Sequence, residues 1–117
     1  IRRAVRLIRS GARFIATNMD PNLPMEGEWL PGTGAMVAML TVASEVEPTV
    51  IGKPEPIMYE LAMAQMGAHP ETTAAVGDRV ATDIVGGKRA SLTTICVLSG
   101  ASDRSEAEAA GWRAAGR

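Results

Sequence analysis

Two short apolar runs, each ending in a glycine turn that carries a charge, constrain this chain more than any other feature. The first, Thr49-Val50-Ile51, runs into Gly52-Lys53-Pro54, and the second, Thr73 to Val76, runs into Gly77-Asp78-Arg79-Val80-Ala81-Thr82-Asp83. A helix-like segment separates them. Short apolar runs bounded by turn residues read as buried strands, and strands that alternate with helical segments predict a parallel sheet. Ligands of open α/β sheets bind at the carboxyl ends of the strands, so Lys53 and Asp78 are expected to face one crevice able to hold a metal and a phosphate.

The bulk properties narrow the function classes. A chain of 117 residues suits one small α/β domain with a core of its own. With 21% charged residues and a net charge of −1, it lacks the basic surplus of a nucleic-acid binder. Aromatics make up only 3%, which leaves the core to Val, Ile, Leu, Ala and the seven Met. The lone cysteine, Cys96, excludes an internal disulfide or a multi-cysteine zinc site and suits a reducing cytoplasm. No apolar run approaches the ~20 residues of a membrane span, so no membrane partner is expected. Arg2, Arg3, Arg6 and Arg9 interleave with Ile1, Ala4, Val5 and Ile8 at helical spacing, which reads as a helix with a solvated basic face rather than a targeting peptide. The chain opens in mid-helix without an initiator Met, and a fragment is expected.

Taken in order, Ile1 to Ser10 forms an amphipathic helix stopped by Gly11, and Arg13 to Ala16 a strand. Thr17 to Pro31 is expected to be a long polar, proline-rich loop, of a length that suggests function. Pro31-Gly32-Thr33-Gly34 opens a second helix with Thr33 as its cap and Met36, Val37, Leu40 and Ala43 on one face. That glycine turn follows a loop rather than a strand and lacks a third glycine, so it reads as a structural turn and not as a dinucleotide fingerprint. Pro54 and Pro56 suit the first turn of a third helix, whose face carries Ile57, Met58, Leu61, Ala62 and Ala64 before Gly67 ends it. His69 falls in a surface loop. Ala81 to Ala90 forms the next helix, in which Gly86 and Gly87 predict close packing against a strand because each costs an exposed helix about 1 kcal/mol. Thr93 to Leu98 is a further strand, and Ser105 to Gly111 a last short helix.

These residues suit half of a phosphoryl-transfer site. Magnesium prefers hard oxygen ligands and is usually held by one or two carboxylates with water and substrate phosphate. Asp78 at a strand end fits such a ligand. Asp83, five residues on, could orient the metal's waters or hold Lys53, a supporting role one step removed from the metal. Lys53 would neutralise the transferring phosphoryl group as a point charge. No nucleophile is evident, since Asp20 is followed at once by Pro21 and the long loop. Taken singly, the same residues read as an Asp-capped helix and a solvated lysine.

In combination they are recognisable. Gly52-Lys53-Pro54, Gly77 to Asp83, Gly86-Gly87 and Val97-Leu98-Ser99-Gly100 resemble the C-terminal half of the haloacid dehalogenase (HAD) superfamily phosphatases. Thr17-Asn18-Met19-Asp20, Leu23-Pro24 and Pro31-Gly32-Thr33-Gly34 resemble its NagD and 4-nitrophenylphosphatase branch, which includes phosphoglycolate and pyridoxal phosphate phosphatases. The resemblance implies a Rossmann-like three-layer α/β/α core half with a parallel sheet, residues 33–117, preceded by the end of a cap domain, residues 1–32. It implies a magnesium-dependent phosphomonoester hydrolase acting through a phospho-aspartate on a small phosphorylated metabolite, with homodimers common in the branch. Lys53 matches the phosphate-binding lysine, Asp78 the downstream magnesium ligand and Asp83 the supporting acid. Asn18, Asp20, Leu23 and Pro24 match the cap loop that helps choose the substrate. Leu23-Pro24 stands where pyridoxal phosphate phosphatases carry His-Pro, which favours a substrate such as phosphoglycolate.

The family's strand ending in Asp-x-Asp, source of the nucleophile, has no match here, and neither does its second motif. Phe14-Ile15-Ala16-Thr17-Asn18 imitates that second motif but occupies the position of the cap's end. The 117 residues alone are therefore expected to be inactive. The competing reading is a non-catalytic α/β module that binds a phosphate or a partner chain.

Overall fold

The computed structural model describes residues 1–111, and its contacts divide the chain into two compact units, Ile1–Gly52 and the part from Lys53 onward. In the first unit, helix α1 (Arg2–Arg9) buries Ile8 and leaves its four arginines exposed, as its spacing predicts. The helix is closed by Ser10, whose hydroxyl donates to the Arg6 carbonyl at 2.8 Å, and the chain then turns at Gly11 with φ of 94°. Strand β1 (Ile15–Ala16) runs parallel to β4 (Thr49–Val50), with Ile15 opposite Thr49 and Ala16 opposite Val50. Both strands are shorter than expected. Bonds from Thr49 N–H to the Phe14 carbonyl and from Ile51 N–H to the Ala16 carbonyl, at 2.8 and 2.9 Å, extend the ladder by one step at each end.

The expected loop over residues 17–31 is in part a hairpin. Strands β2 (Asn22–Met25) and β3 (Glu28–Pro31) pair antiparallel, from Asn22 opposite Pro31 to Met25 opposite Glu28. Gly27 supplies the positive φ, 80°, that the tight connection needs. Pro24 and Pro31 hid the strands from the sequence reading, because proline is tolerated in a strand only at an edge. Helix α2 (Thr33–Ser44) follows, with Gly32 rather than Thr33 at its N-cap and no capping side chain. Val37, Gly34 and Ser44 are its buried residues, whereas Met36 and Ala43 of the expected face are exposed.

The second unit alternates helix and strand. Helix α3 (Ile57–Met66) starts after Pro56 and ends at Gly67, with φ of 61°. Pro54 lies ahead of it, joined to Lys53 by a cis peptide bond. Met63 is the buried residue of α3, and Met58 and Leu61 are exposed, because a helix that is apolar nearly all round does not announce its inner face. A 3-10 turn (Pro70–Thr72) leads into β5 (Ala74–Gly77), which pairs in parallel with β6 (Thr93–Cys96), Ala74 opposite Thr93 and Gly77 opposite Cys96. Between these strands lie a π-helical turn (Val80–Ile84) and helix α4 (Val85–Arg89), so the expected single helix is two segments of different pitch. Helix α5 (Arg104–Ala109) is capped by Asp103, whose carboxylate accepts the Glu106 N–H at 2.8 Å.

Two small clusters form the core of this unit. Met63, Ala75, Ala90 and Leu92 pack together with Tyr59 and Ala68 against them, and Val80, Ile84, Cys96 and Ala107 form the second. The glycine pair of α4 is explained by close packing, because a Cβ at Gly87 would sit 2.7 Å from Thr94 Cγ2 and 3.0 Å from Ala75 Cβ. Parallel strand pairs joined through helices make this an α/β fold of the Rossmann-like kind. Among the described residues no helix is long and apolar enough to cross a membrane.

Candidate active site

Lys53 and Asp83 meet directly. The Lys53 ammonium donates to Asp83 Oδ1 at 2.5 Å, and the second oxygen, Oδ2, accepts the Arg79 N–H at 3.1 Å. Asp83 lies in the π-helical turn, and its side chain reaches back onto the backbone at Arg79, the residue at the N-cap of that turn. Such turns concentrate at functional sites. Gly77 leaves the room, because a Cβ there would overlap the Asp83 side chain. Tyr59 of α3 completes the arrangement by donating its hydroxyl to the Asp83 carbonyl oxygen at 3.1 Å.

Asp83 is 7% exposed, and the Lys53 side chain keeps 49% of its surface open. The pair is thus buried on the acid side and accessible on the base side. The hydrogen bond to Asp83 raises the Lys53 ammonium above the ordinary lysine value, against the opposing pull of burial. Burial pushes the Asp83 carboxyl up, but bonds from Lys53 and the Arg79 N–H outweigh it and hold the group below the ordinary aspartate value. Burial, and then the negative charge of Asp83, lifts the Tyr59 phenol. Both charges are therefore present across the neutral range.

Asp78, half-buried at the end of β5, contributes to the raised basicity of Lys53 through its charge. Its Oδ2 accepts the Ala101 N–H at 2.8 Å, and its backbone carbonyl accepts the Ser102 N–H at 2.9 Å. Two aspartates and one lysine thus converge on the end of β5. Among the described residues no group of three or more His, Cys, Asp or Glu is gathered as a metal cluster. The donors present fit magnesium, which takes hard oxygens and fills most of its shell with water and phosphate.

The remaining expected site residues lie in the first unit. Asn18 Oδ1 accepts the Asp20 N–H at 3.1 Å, a local turn of the kind asparagine favours. Asp20 and Leu23 are exposed, Leu23 on β2, where Pro24 pairs with Trp29; the Pro24 side chain lies outside the described residues. The glycines of the Gly32-Thr33-Gly34 turn pack on backbone: a Cβ at either would overlap a carbonyl, of Asp20 for Gly32 and of Met19 for Gly34. His69 is exposed, and its carbonyl accepts the Thr72 and Thr73 hydroxyls. Tyr59 and Ser102 were missed by the sequence reading. The scarcity of aromatics gave Tyr59 some prominence, but nothing about a single serine marks it as buried.

Comparison with known proteins identifies the family. Residues 50–116 match the HAD-hydrolase-like family model. A dihydroxyacetone phosphatase of Corynebacterium glutamicum is 47% identical over 103 residues, which is 88% of this chain and 38% of that protein. A 5′-nucleotidase of Bacillus subtilis is 46% identical over 97 residues, 83% of this chain and 38% of its own length. Among solved structures, a glycerol phosphate phosphatase of Mycobacterium tuberculosis in complex with magnesium superposes with a TM-score of 0.76 at 42% identity, covering 85% of this chain and 30% of that one. The chain thus spans about two fifths of the length of the curated relatives it matches. By its matched residues and its parallel strand-end site, the chain belongs to the HAD-like hydrolases.

Proposed function

We propose that this chain is the phosphate- and metal-handling portion of a magnesium-dependent phosphomonoester hydrolase. The observation that carries the reading is the ion pair at the end of β5. Asp83 anchors Lys53 on its buried side and leaves a half-exposed ammonium beside the second carboxylate, Asp78. In this reading Lys53 binds and orients the phosphoryl group by charge. Asp83 keeps that ammonium protonated and aimed, and Asp78 offers a carboxylate oxygen to the metal. Magnesium, when bound, would neutralise charge on the phosphoryl oxygens. The resemblance assigns the attacking aspartate, and with it the phospho-aspartate, to residues outside these 117.

The relatives' names support a small phosphorylated metabolite as substrate, since one is a dihydroxyacetone phosphatase and another a glycerol phosphate phosphatase. Phosphoglycolate, of similar size, is our first choice, and the region of Asn18, Asp20, Leu23 and Pro24, in which Asp20 and Leu23 are exposed, is the proposed selector. We draw the boundary between the substrate-selecting and phosphate-handling parts at Gly52, later than the expected 32/33, on the support of the compact units. A cytoplasmic setting fits the buried, unpaired Cys96.

The test uses the whole gene product carrying these residues, 4-nitrophenyl phosphate and magnesium. Lys53→Ala and Asp78→Asn are each expected to lower kcat/KM by roughly 100-fold or more, the usual effect of removing one group that stabilises transition-state charge. Wild-type rates in both variants would overturn the reading. Phosphoglycolate, dihydroxyacetone phosphate and glycerol phosphate are expected to be hydrolysed with higher kcat/KM than pyridoxal phosphate, and the reverse order would overturn the substrate assignment. The 117 residues alone are expected to show no turnover; magnesium-dependent turnover abolished by Asp78→Asn would show that the chain holds its own nucleophile.

A further inference from the structure

The turn that follows β6 is bound to Asp78 at two points, and to its neighbour Val80 at a third. After Cys96 the Val97 N–H still donates to the Gly77 carbonyl at 2.9 Å, so the strand pair persists up to the site. The chain then folds back over Asp78. The Ala101 N–H reaches Asp78 Oδ2 at 2.8 Å, and the Ser102 N–H reaches the Asp78 carbonyl at 2.9 Å. The Ser102 hydroxyl oxygen accepts the Val80 N–H at 3.0 Å. Ser102 is 3% exposed, and Ala107 of the following helix is fully buried in the cluster of Val80, Ile84 and Cys96. The turn is thus anchored on a packed base. Gly100 passes so near that any Cβ would overlap the Asp78 carboxylate.

We infer that the Gly100-Ala101-Ser102 turn is a positioning element that selects which oxygen of Asp78 meets the metal; this rests on the reading of Asp78 as a magnesium ligand. The hydrogen bonds hold one carboxylate oxygen and the backbone on both sides of the residue. Oδ1 is left without a protein donor among the described residues. A carboxylate with one oxygen bound by backbone N–H and one open is suited to single-oxygen coordination. Magnesium demands near-ideal octahedral geometry. Ser102 acts through the backbone of Asp78 and Val80. Hydrogen-bonded partners of metal ligands typically change metal affinity about 10–100-fold when removed. Gly100 has a different part, since only a residue without a side chain lets the turn close.

The experiment is isothermal titration of Mg²⁺ into the whole gene product, with kcat, KM and the half-saturating Mg²⁺ concentration measured alongside. Asp78→Asn is expected to abolish the binding heat. If it does not, the metal reading itself fails, independently of the turn. Gly100→Ala and Ser102→Ala are expected to weaken Mg²⁺ binding about 10–100-fold. They should raise the half-saturating Mg²⁺ concentration in parallel, while KM for 4-nitrophenyl phosphate and kcat at saturating Mg²⁺ stay near wild type. Ser102→Thr, which keeps the acceptor oxygen, is expected to restore Mg²⁺ affinity to within a few fold of wild type. A loss of Mg²⁺ binding in Asp78→Asn together with unchanged affinity in Gly100→Ala and Ser102→Ala would overturn the inference. Should Gly100→Ala fail to fold, the Ala and Thr variants at position 102 decide alone: equal Mg²⁺ affinity in both would overturn it.

Discussion

Glycines crowd two regions of this chain and make room for different things. At Gly32 and Gly34 the absent Cβ lets backbone approach backbone, so that the Gly34 N–H reaches the Asp20 carbonyl at 2.8 Å. At Gly77 and Gly100 the absent Cβ clears space for the carboxylates of Asp83 and Asp78. The first region builds a hairpin and a helix start, and the second holds two acids, the buried Asp83 bonded to Lys53 and the half-buried Asp78 at the end of β5. A glycine-rich turn is therefore ambiguous until the atom that fills its missing side chain is known. Backbone in that space means architecture, and a carboxylate means chemistry.

The comparison breaks most severely at Asp83. Asp83→Ala would leave the Arg79 N–H without its acceptor and free Lys53 to swing into solvent, and kcat/KM of the whole gene product is expected to fall about 100-fold, close to 2.7 kcal/mol of barrier. Gly77→Ala should imitate it, because its Cβ would displace the same side chain. Equal activity in Gly77→Ala and wild type, read with 4-nitrophenyl phosphate, would erase the distinction between the two glycine regions.

Gly34→Ala is the counterpart. Its Cβ would strike the Met19 and Asp20 carbonyls, and overpacking of this kind costs about 1–3 kcal/mol of stability. The expected signature in chemical denaturation is a lower midpoint, with Mg²⁺ affinity of the folded protein unchanged. Tyr59→Phe should do less. It removes one hydrogen bond to the Asp83 carbonyl, worth roughly 1 kcal/mol, while the ring still packs against Gly86. A lower midpoint with nearly wild-type kcat/KM is expected, and a loss of activity as large as that of Asp83→Ala would promote Tyr59 into the chemistry.

The strand-end charges were legible because their setting is local: an apolar run, a glycine, then Lys53 or Asp78 states both the strand and the turn. Their partnership was legible only in part, since a sequence offers Asp83 two roles and the fold shows its bond to Lys53. The hairpin at residues 22–31 was hidden because Pro24, Pro31 and exposed polar residues mimic a loop, although Glu26-Gly27 between two apolar-containing runs carried a turn signal. Inner faces of α2 and α3 were unreadable for a different reason. Both helices are apolar almost all round, and which of Met58, Leu61 or Met63 is buried depends on the strands beneath. Ser102 was out of reach because its partners, Asp78 and Val80, lie more than twenty residues upstream.

The smallest effect, and the one that tests the electrostatics of the pair directly, is the pH dependence of stability. Asp83 is held below the ordinary aspartate value, so its contribution is fully present above that value and is lost as pH falls through the depressed one. Lys53 is held above the ordinary lysine value, so its contribution is present below that value and is lost as pH rises through the elevated one. The pair therefore contributes throughout the neutral range and fails at both extremes. Because half of the Lys53 side chain faces water, screening discounts its alkaline limb, and the acid limb should be the larger. Asp83→Asn removes the titrating group, so its melting temperature is expected to decline less steeply than that of wild type between neutral and strongly acidic pH. Parallel declines in the two proteins would mean that Asp83 titrates alike folded and unfolded, and that the short contact to Lys53 contributes nothing to the stability of the fold.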